Sequence, residues 1–106
     1  MRFSNRRAVI TGGASGIGQA VAERIKSEGG AVAVWDMNGG IKLDVSDYSS
    51  VENAVRETVS LLGGVDILVN CAGIAGPTVP LTEYPIDEWQ KVLAINLTGT
   101  FHACRA

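Results

Sequence analysis

The run Thr11-Gly12-Gly13-Ala14-Ser15-Gly16-Ile17-Gly18 holds the residue types best suited to chemistry, and that chemistry is the holding of phosphate. Glycines in such a run tolerate positive φ, leave the backbone open to a pyrophosphate, and let a following helix pack closely on the preceding strand. A helix starting at Gly16 presents free N–H groups and the positive end of its dipole to the anion. By itself the run also fits a plain flexible strand-to-helix turn. The nucleotide reading gains from Asp36, eighteen positions after Gly18 at the end of the next apolar run, where a carboxylate can accept both hydroxyls of an adenosine ribose.

Short apolar runs alternate with stretches of helical period, the pattern of a parallel sheet covered by helices. Ala8-Val9-Ile10 is uninterrupted by charge, as expected of a strand buried on both faces. Ile17, Ala20, Val21 and Ile25 then fall at helical spacing, and Gly29-Gly30 stops that helix. Ala31 to Trp35 reads as a second strand, and Ile41 to Leu43 as a weaker third. Val51, Ala54, Val55, Val59 and Leu62 mark another helix, started by Asp47 or by a Ser49-x-x-Glu52 capping box and ended by Gly63-Gly64. Ile67-Leu68-Val69 is a fourth strand that delivers Asn70, and a last helix begins near Pro85-Ile86 and runs through Trp89, Val92, Leu93 and Leu97.

The expected fold is therefore α/β: a Rossmann-type doubly wound parallel sheet, incomplete, with about four strands in a single partial domain over residues 1–106. Only Met37 to Gly40 separate the second strand from the third, although parallel neighbours need a crossover of about a dozen residues or more. The second crossover helix is expected to be missing. Either Ile41 to Leu43 is not a parallel strand, or the connection has been shortened.

The spacing Thr11-Gly12-x-x-x-Gly16-x-Gly18 resembles the cofactor fingerprint of the short-chain dehydrogenase/reductase family. Further resemblances follow in the family's order: Asp44-Val45 to its adenine-contacting pair, Asn70-Cys71-Ala72-Gly73 to its Asn-Asn-Ala-Gly motif, and Asn96 to its catalytic-site asparagine. The resemblance implies cofactor contacts from Gly12, Ser15, Gly16, Ile17, Gly18, Asp36, Asp44, Val45, Asn70, Ala72 and Gly73. It implies for Asn96 a kinked helix and a water linking the catalytic lysine to solvent. Each residue also has a plainer reading. Asp44 can be a helix cap, Asn70 a bridge between strands, and Asn96 a locally satisfied amide. Cys71 is expected to pack as a small hydrophobe, Trp89, Val92 and Leu93 to form a helix face seeking a core, and His102 is assigned no role.

Asp36 repels a 2′-phosphate, and Met37 and Asn38 follow it where a basic residue would serve that group, so NAD is expected rather than NADP. The family transfers hydride with a tyrosine, a lysine four residues later and a serine. Here Tyr48 is followed at that distance by Glu52 and Tyr84 by Glu88, so the 106 residues are expected to be the N-terminal part of such an oxidoreductase and inactive alone. The resemblance implies a secondary alcohol or ketone as small-molecule substrate, a sugar, polyol or 3-oxoacyl compound, bordered by Gly76-Pro77 and Leu81 to Pro85. It also implies a dimer or tetramer assembled through the helix near Pro85. The rival readings are a non-catalytic nucleotide-binding or interaction module and a truncated product.

Composition narrows the rest. With 46% hydrophobic residues, nine basic against eleven acidic and no basic cluster beyond Arg6-Arg7, disorder and nucleic-acid binding are not expected. No apolar run approaches the roughly 20 residues of a membrane helix, and Ala8-Val9-Ile10 is too short for the core of an export signal. Cys71 and Cys104 have no metal-binding or redox spacing, and a reduced, cytoplasmic setting is expected.

Overall fold

The computed structural model describes residues 1–106. The chain runs β1 (Arg7–Thr11), α1 (Gly16–Ser27), β2 (Ala31–Asp36), β3 (Ile41–Lys42), α2 (Tyr48–Leu62) and β4 (Ile67–Asn70). After a 3-10 turn at Leu81–Glu83 come α3 (Ile86–Leu93), a π-helical turn (Ala94–Thr98) and α4 (Gly99–Arg105). The strands form one parallel sheet in the order β3-β2-β1-β4, the incomplete Rossmann arrangement that the apolar pattern predicts.

Because strand side chains alternate between faces, the sheet has two distinct sides. Ala8 and Ile10 of β1 pack on Ala22 and Ile25 of α1, with Val32, Val34, Ile67 and Val69 beside them. On the other side Val9, Ala33 and Trp35 meet Val51 and Ala54 of α2 and Ala103 of α4. The indole N–H of Trp35 donates to the buried Thr58 hydroxyl at 2.9 Å, so neither polar group in that layer lacks a partner. At the N-terminal ends of β1 and β4, the Arg7 guanidinium grips Asp66, whose own backbone N–H donates to the Arg7 carbonyl. That guanidinium holds the Asp66 carboxyl down at about 2.

The third strand is both parallel and shortened. Trp35 lies beside Ile41 and Asp36 beside Lys42, and no helix intervenes. A long crossover is required when the chain must travel back the length of a strand. Here it steps sideways by one strand spacing, about 5 Å, and back by about one residue, about 3 Å, which four residues span. Gly40 makes that possible: its φ is +63°, and a side chain there would collide with the Val34 backbone. Leu43 falls outside the strand but is buried, its N–H donating to the Asp36 carbonyl at 3.3 Å.

Asp47 is the cap of α2, accepting the Ser49 N–H at 3.1 Å and the Ser50 hydroxyl at 3.0 Å, and no capping box forms. The last helix is continuous but opens into the π turn around Asn96. The Trp89 face finds no core. Trp89 is 55% exposed, with the Tyr84 ring edge-on to it.

Candidate functional site

A cleft of about 410 Å³ opens at the C-terminal ends of β1, β2 and β4, where the strand order reverses between β1 and β4. Open parallel sheets bind ligands at this switch point, because the loops leaving β1 and β4 diverge there to opposite faces. Gly12, Ser15, Gly16, Ile17, Gly18, Asp36, Asp44, Val45, Ala72 and Gly73 all line it, joined by Trp35, Met37, Asn38, Leu43, Cys71, Ile74 and Ile95.

The floor is the glycine turn. Gly12 has φ +65°, and a methyl group on it would lie 2.7 Å from the backbone of Cys71 and Ala72. A methyl on Gly18 would run into the Gly12 carbonyl, so the start of α1 can close on the turn only as glycine. Thr11, a residue with no assigned role in the sequence, locks this floor to β4: its buried hydroxyl accepts the N–H groups of Cys71 and Ala72, both at 3.1 Å. The signal for it was available, a hydroxyl at the last strand position before the glycines.

The N-terminus of α1 points its free donors into the cleft. Ser15 makes no side-chain cap bond, and the first amide of the helix with a partner is that of Gln19, donating to the Ser15 carbonyl at 3.1 Å. The N–H groups of Gly16, Ile17 and Gly18 are therefore open to an anion, supported by the helix dipole. At the end of β2, beside the turn, the Asp36 carboxylate accepts the Ala14 N–H at 3.1 Å on one oxygen and the Asn38 N–H at 2.9 Å on the other. Asp36 thus holds the glycine turn to β2, and each oxygen keeps a second acceptor position. Asp44 accepts the Ser46 N–H at 2.9 Å and hydroxyl at 2.6 Å on one oxygen, leaving the other without a partner in the chain. Free amides over an uncluttered backbone and carboxylate acceptors in the same cleft fit a pyrophosphate bearing an adenosine. A dinucleotide such as NAD suits this donor set.

Two expected site residues stand outside the cleft lining. Asn70 lies one strand position beyond Val69, so it faces the α4 side with Leu68, and its amide approaches the Cys104 sulfur at 3.7 Å. Asn96 spends its side chain on the backbone of Ile74, accepting its N–H and donating to its carbonyl, both at 2.8 Å. It thereby fixes Gly73 and Ile74, which do line the cleft. The π turn opens the helix at this residue, and the Thr100 hydroxyl donates to the Asn96 carbonyl at 3.1 Å. The segment from Gly76 to Pro85 contributes nothing to the cleft wall. His102 has a partner the sequence did not suggest, donating from Nδ1 to the Val45 carbonyl at 2.8 Å.

Residues 12–106 match the family model described as enoyl-(acyl carrier protein) reductase. The structure also superposes on a short-chain dehydrogenase/reductase from Serratia marcescens with a TM-score of 0.85 at 35% identity, covering 96% of this chain and 50% of that one. The chain belongs to the short-chain dehydrogenase/reductase family. Among the family's curated proteins it is 47% identical to the 2-dehydro-3-deoxy-L-rhamnonate dehydrogenase (NAD(+)) of a Sphingomonas strain, over 98% of this chain and 47% of that protein. It is 36% identical to the D-threitol dehydrogenase of Mycolicibacterium smegmatis, over 99% of this chain and 47% of that protein. The chain thus spans about half the length of the curated relatives it matches. The Sphingomonas alignment extends over 118 positions against 106 residues here, so that relative carries at least a dozen residues with no counterpart in this chain. No helix of the structure is long and apolar enough to cross a membrane.

Proposed function

We propose that this chain is the NAD-binding part of a short-chain dehydrogenase/reductase, one partial dinucleotide-binding domain, serving the interconversion of a secondary alcohol and a ketone. The observation that carries this reading is the placement of the unpaired Gly16, Ile17 and Gly18 amides in one cleft with the Asp36 carboxylate. The amides hold the pyrophosphate, Asp36 accepts the adenosine ribose hydroxyls, and the free oxygen of Asp44 takes the adenine amino group, with Val45 and Ile17 against the rings. Ala72 and Gly73 leave room for the nicotinamide ribose, while Asn70 and Asn96 support that wall from behind. NAD, when bound, supplies the hydride acceptor.

Proton transfer is outside the reach of these residues. Tyr48 and Tyr84 are each followed at four positions by a glutamate, and a phenol needs a cation there to work near neutral pH. The chain alone binds cofactor without turnover. The relatives named above favour a sugar or polyol over a 3-oxoacyl substrate, and the full-length assembly is a cytoplasmic dimer or tetramer.

Calorimetric titration with NAD and NADP tests the reading. Binding of NAD with a clear preference over NADP is the expected result. Equal affinities would remove the choice of NAD, and absence of binding by both would remove the function.

A further inference from the structure

We infer that His102 is a positioning residue for the adenine wall of the cleft, an inference that rests on the dinucleotide reading above. The wall consists of Asp44 and Val45, in the short turn between β3 and α2. Strand pairing does little to hold that turn, since β3 offers only two positions, Ile41 and Lys42, to the sheet. Beyond the Leu43 amide on the Asp36 carbonyl and the core packing of Leu43 and Val45, its support comes from α4. Gly99 and His102 lie three apart, hence on one helix face, and both grip Val45. A methyl on Gly99 would lie 2.5 Å from Val45 Cγ2, so the Val45 side chain rests against bare helix backbone. The His102 Nδ1–H donates to the Val45 carbonyl at 2.8 Å.

The imidazole is itself braced. The Tyr48 ring stands edge-on to it at 5.1 Å between centroids, and the Tyr48 hydroxyl accepts from Arg105 at 2.7 Å. Tyr48 is the first residue of α2, so one cluster joins the turn, the start of α2 and α4. A carbonyl can only accept, so Nδ1 carries the proton in this contact. His102 keeps Val45, and through it the neighbouring Asp44, at the height where an adenine edge can meet the carboxylate. In a family member with a full third strand the sheet would share that task. Here more of it falls to the helix.

The test uses the full chain with His102→Leu and His102→Asn, the asparagine amide standing close to where Nδ1 stands. Loss of one such hydrogen bond is expected to weaken adenosine 5′-monophosphate about three- to tenfold in the leucine variant. Inorganic pyrophosphate, held by the α1 turn, is expected to bind unchanged, and asparagine to restore most of the nucleotide affinity. Hydrogen exchange gives a readout independent of ligand: the Ser46 and Asp47 amides are expected to exchange faster in the leucine variant and not in the asparagine one. Unchanged exchange and affinity would overturn the inference, as would a loss that falls equally on pyrophosphate. If the unsubstituted chain binds no adenosine nucleotide, the dinucleotide reading falls, and the exchange data still decide whether His102 holds the turn.

Discussion

Asp36→Asn separates the two duties of the carboxylate at the mouth of the cleft. Each oxygen already accepts one backbone N–H, from Ala14 at 3.1 Å and Asn38 at 2.9 Å, so one acceptor position per oxygen remains for a ribose hydroxyl. The amide keeps the shape, removes the charge and turns one acceptor into a donor. A hydrogen bond to a charged group contributes about 1.5–3 kcal/mol, so NAD affinity is expected to fall about 10- to 150-fold. NADP behaves differently, because a unit charge pair about 5 Å apart at an effective dielectric of about 20 repels by ~3 kcal/mol, and the substitution removes that repulsion. The preference for NAD over NADP therefore collapses by at least about tenfold. Calorimetry with both dinucleotides measures it, and urea unfolding of the same variant reports how far the Ala14 turn has loosened. A preference ratio that stays the same while both affinities drop would refute the assignment, leaving Asp36 as a brace for the glycine turn alone.

Thr11→Val removes the only partner of the Ala72 N–H, while the Cys71 N–H keeps the Thr11 carbonyl at 3.1 Å. A loss of about 1–2 kcal/mol is expected in urea unfolding, with Thr11→Ser close to the original; equal midpoints for all three would contradict it. Arg7 lowers the Asp66 carboxyl to about 2, and Arg2 with Arg24 does the same for Glu28. Folded values below the unfolded ones give stability that is complete above the ordinary carboxylate range and lost as pH falls through about 4 toward about 2. Urea midpoints measured across that range are expected to fall modestly, as these ion pairs are exposed, and less so in Asp66→Asn; identical acid limbs would rule the pair out as the cause. Leu97 and Phe101 are 66% and 60% exposed and β4 is an unpaired sheet edge, so the isolated chain is expected to self-associate. Sedimentation velocity showing a monomer at all concentrations would count against this.

Much of the fold is legible in the residues themselves. Ala8-Val9-Ile10 had to be a doubly covered strand because no polar side chain in it could face water, and it is buried on both sides. The third strand was ambiguous because the crossover rule assumes a return along a whole strand, whereas β3 needs a return of one position. Trp89 and its neighbours looked like core-seeking residues by period alone. Periodicity reports a face and says nothing about what lies under it.

The glycine turn, the helix it starts and the acid after the second strand were set by local chemistry: φ that only glycine takes cheaply, amides with no carbonyl four residues before them, a carboxylate ending an apolar run. Those properties belong to a few consecutive residues. Which polar side chains reach which partners was decided only by tertiary packing. Asn70 turned to Cys104 at 3.7 Å, Asn96 closed on Ile74 at 2.8 Å, and His102 took the Val45 carbonyl at 2.8 Å. Such bonds join residues 22 to 57 positions apart, and their lengths depend on how helix and sheet settle against one another, a matter of packed volumes that no short window of sequence contains.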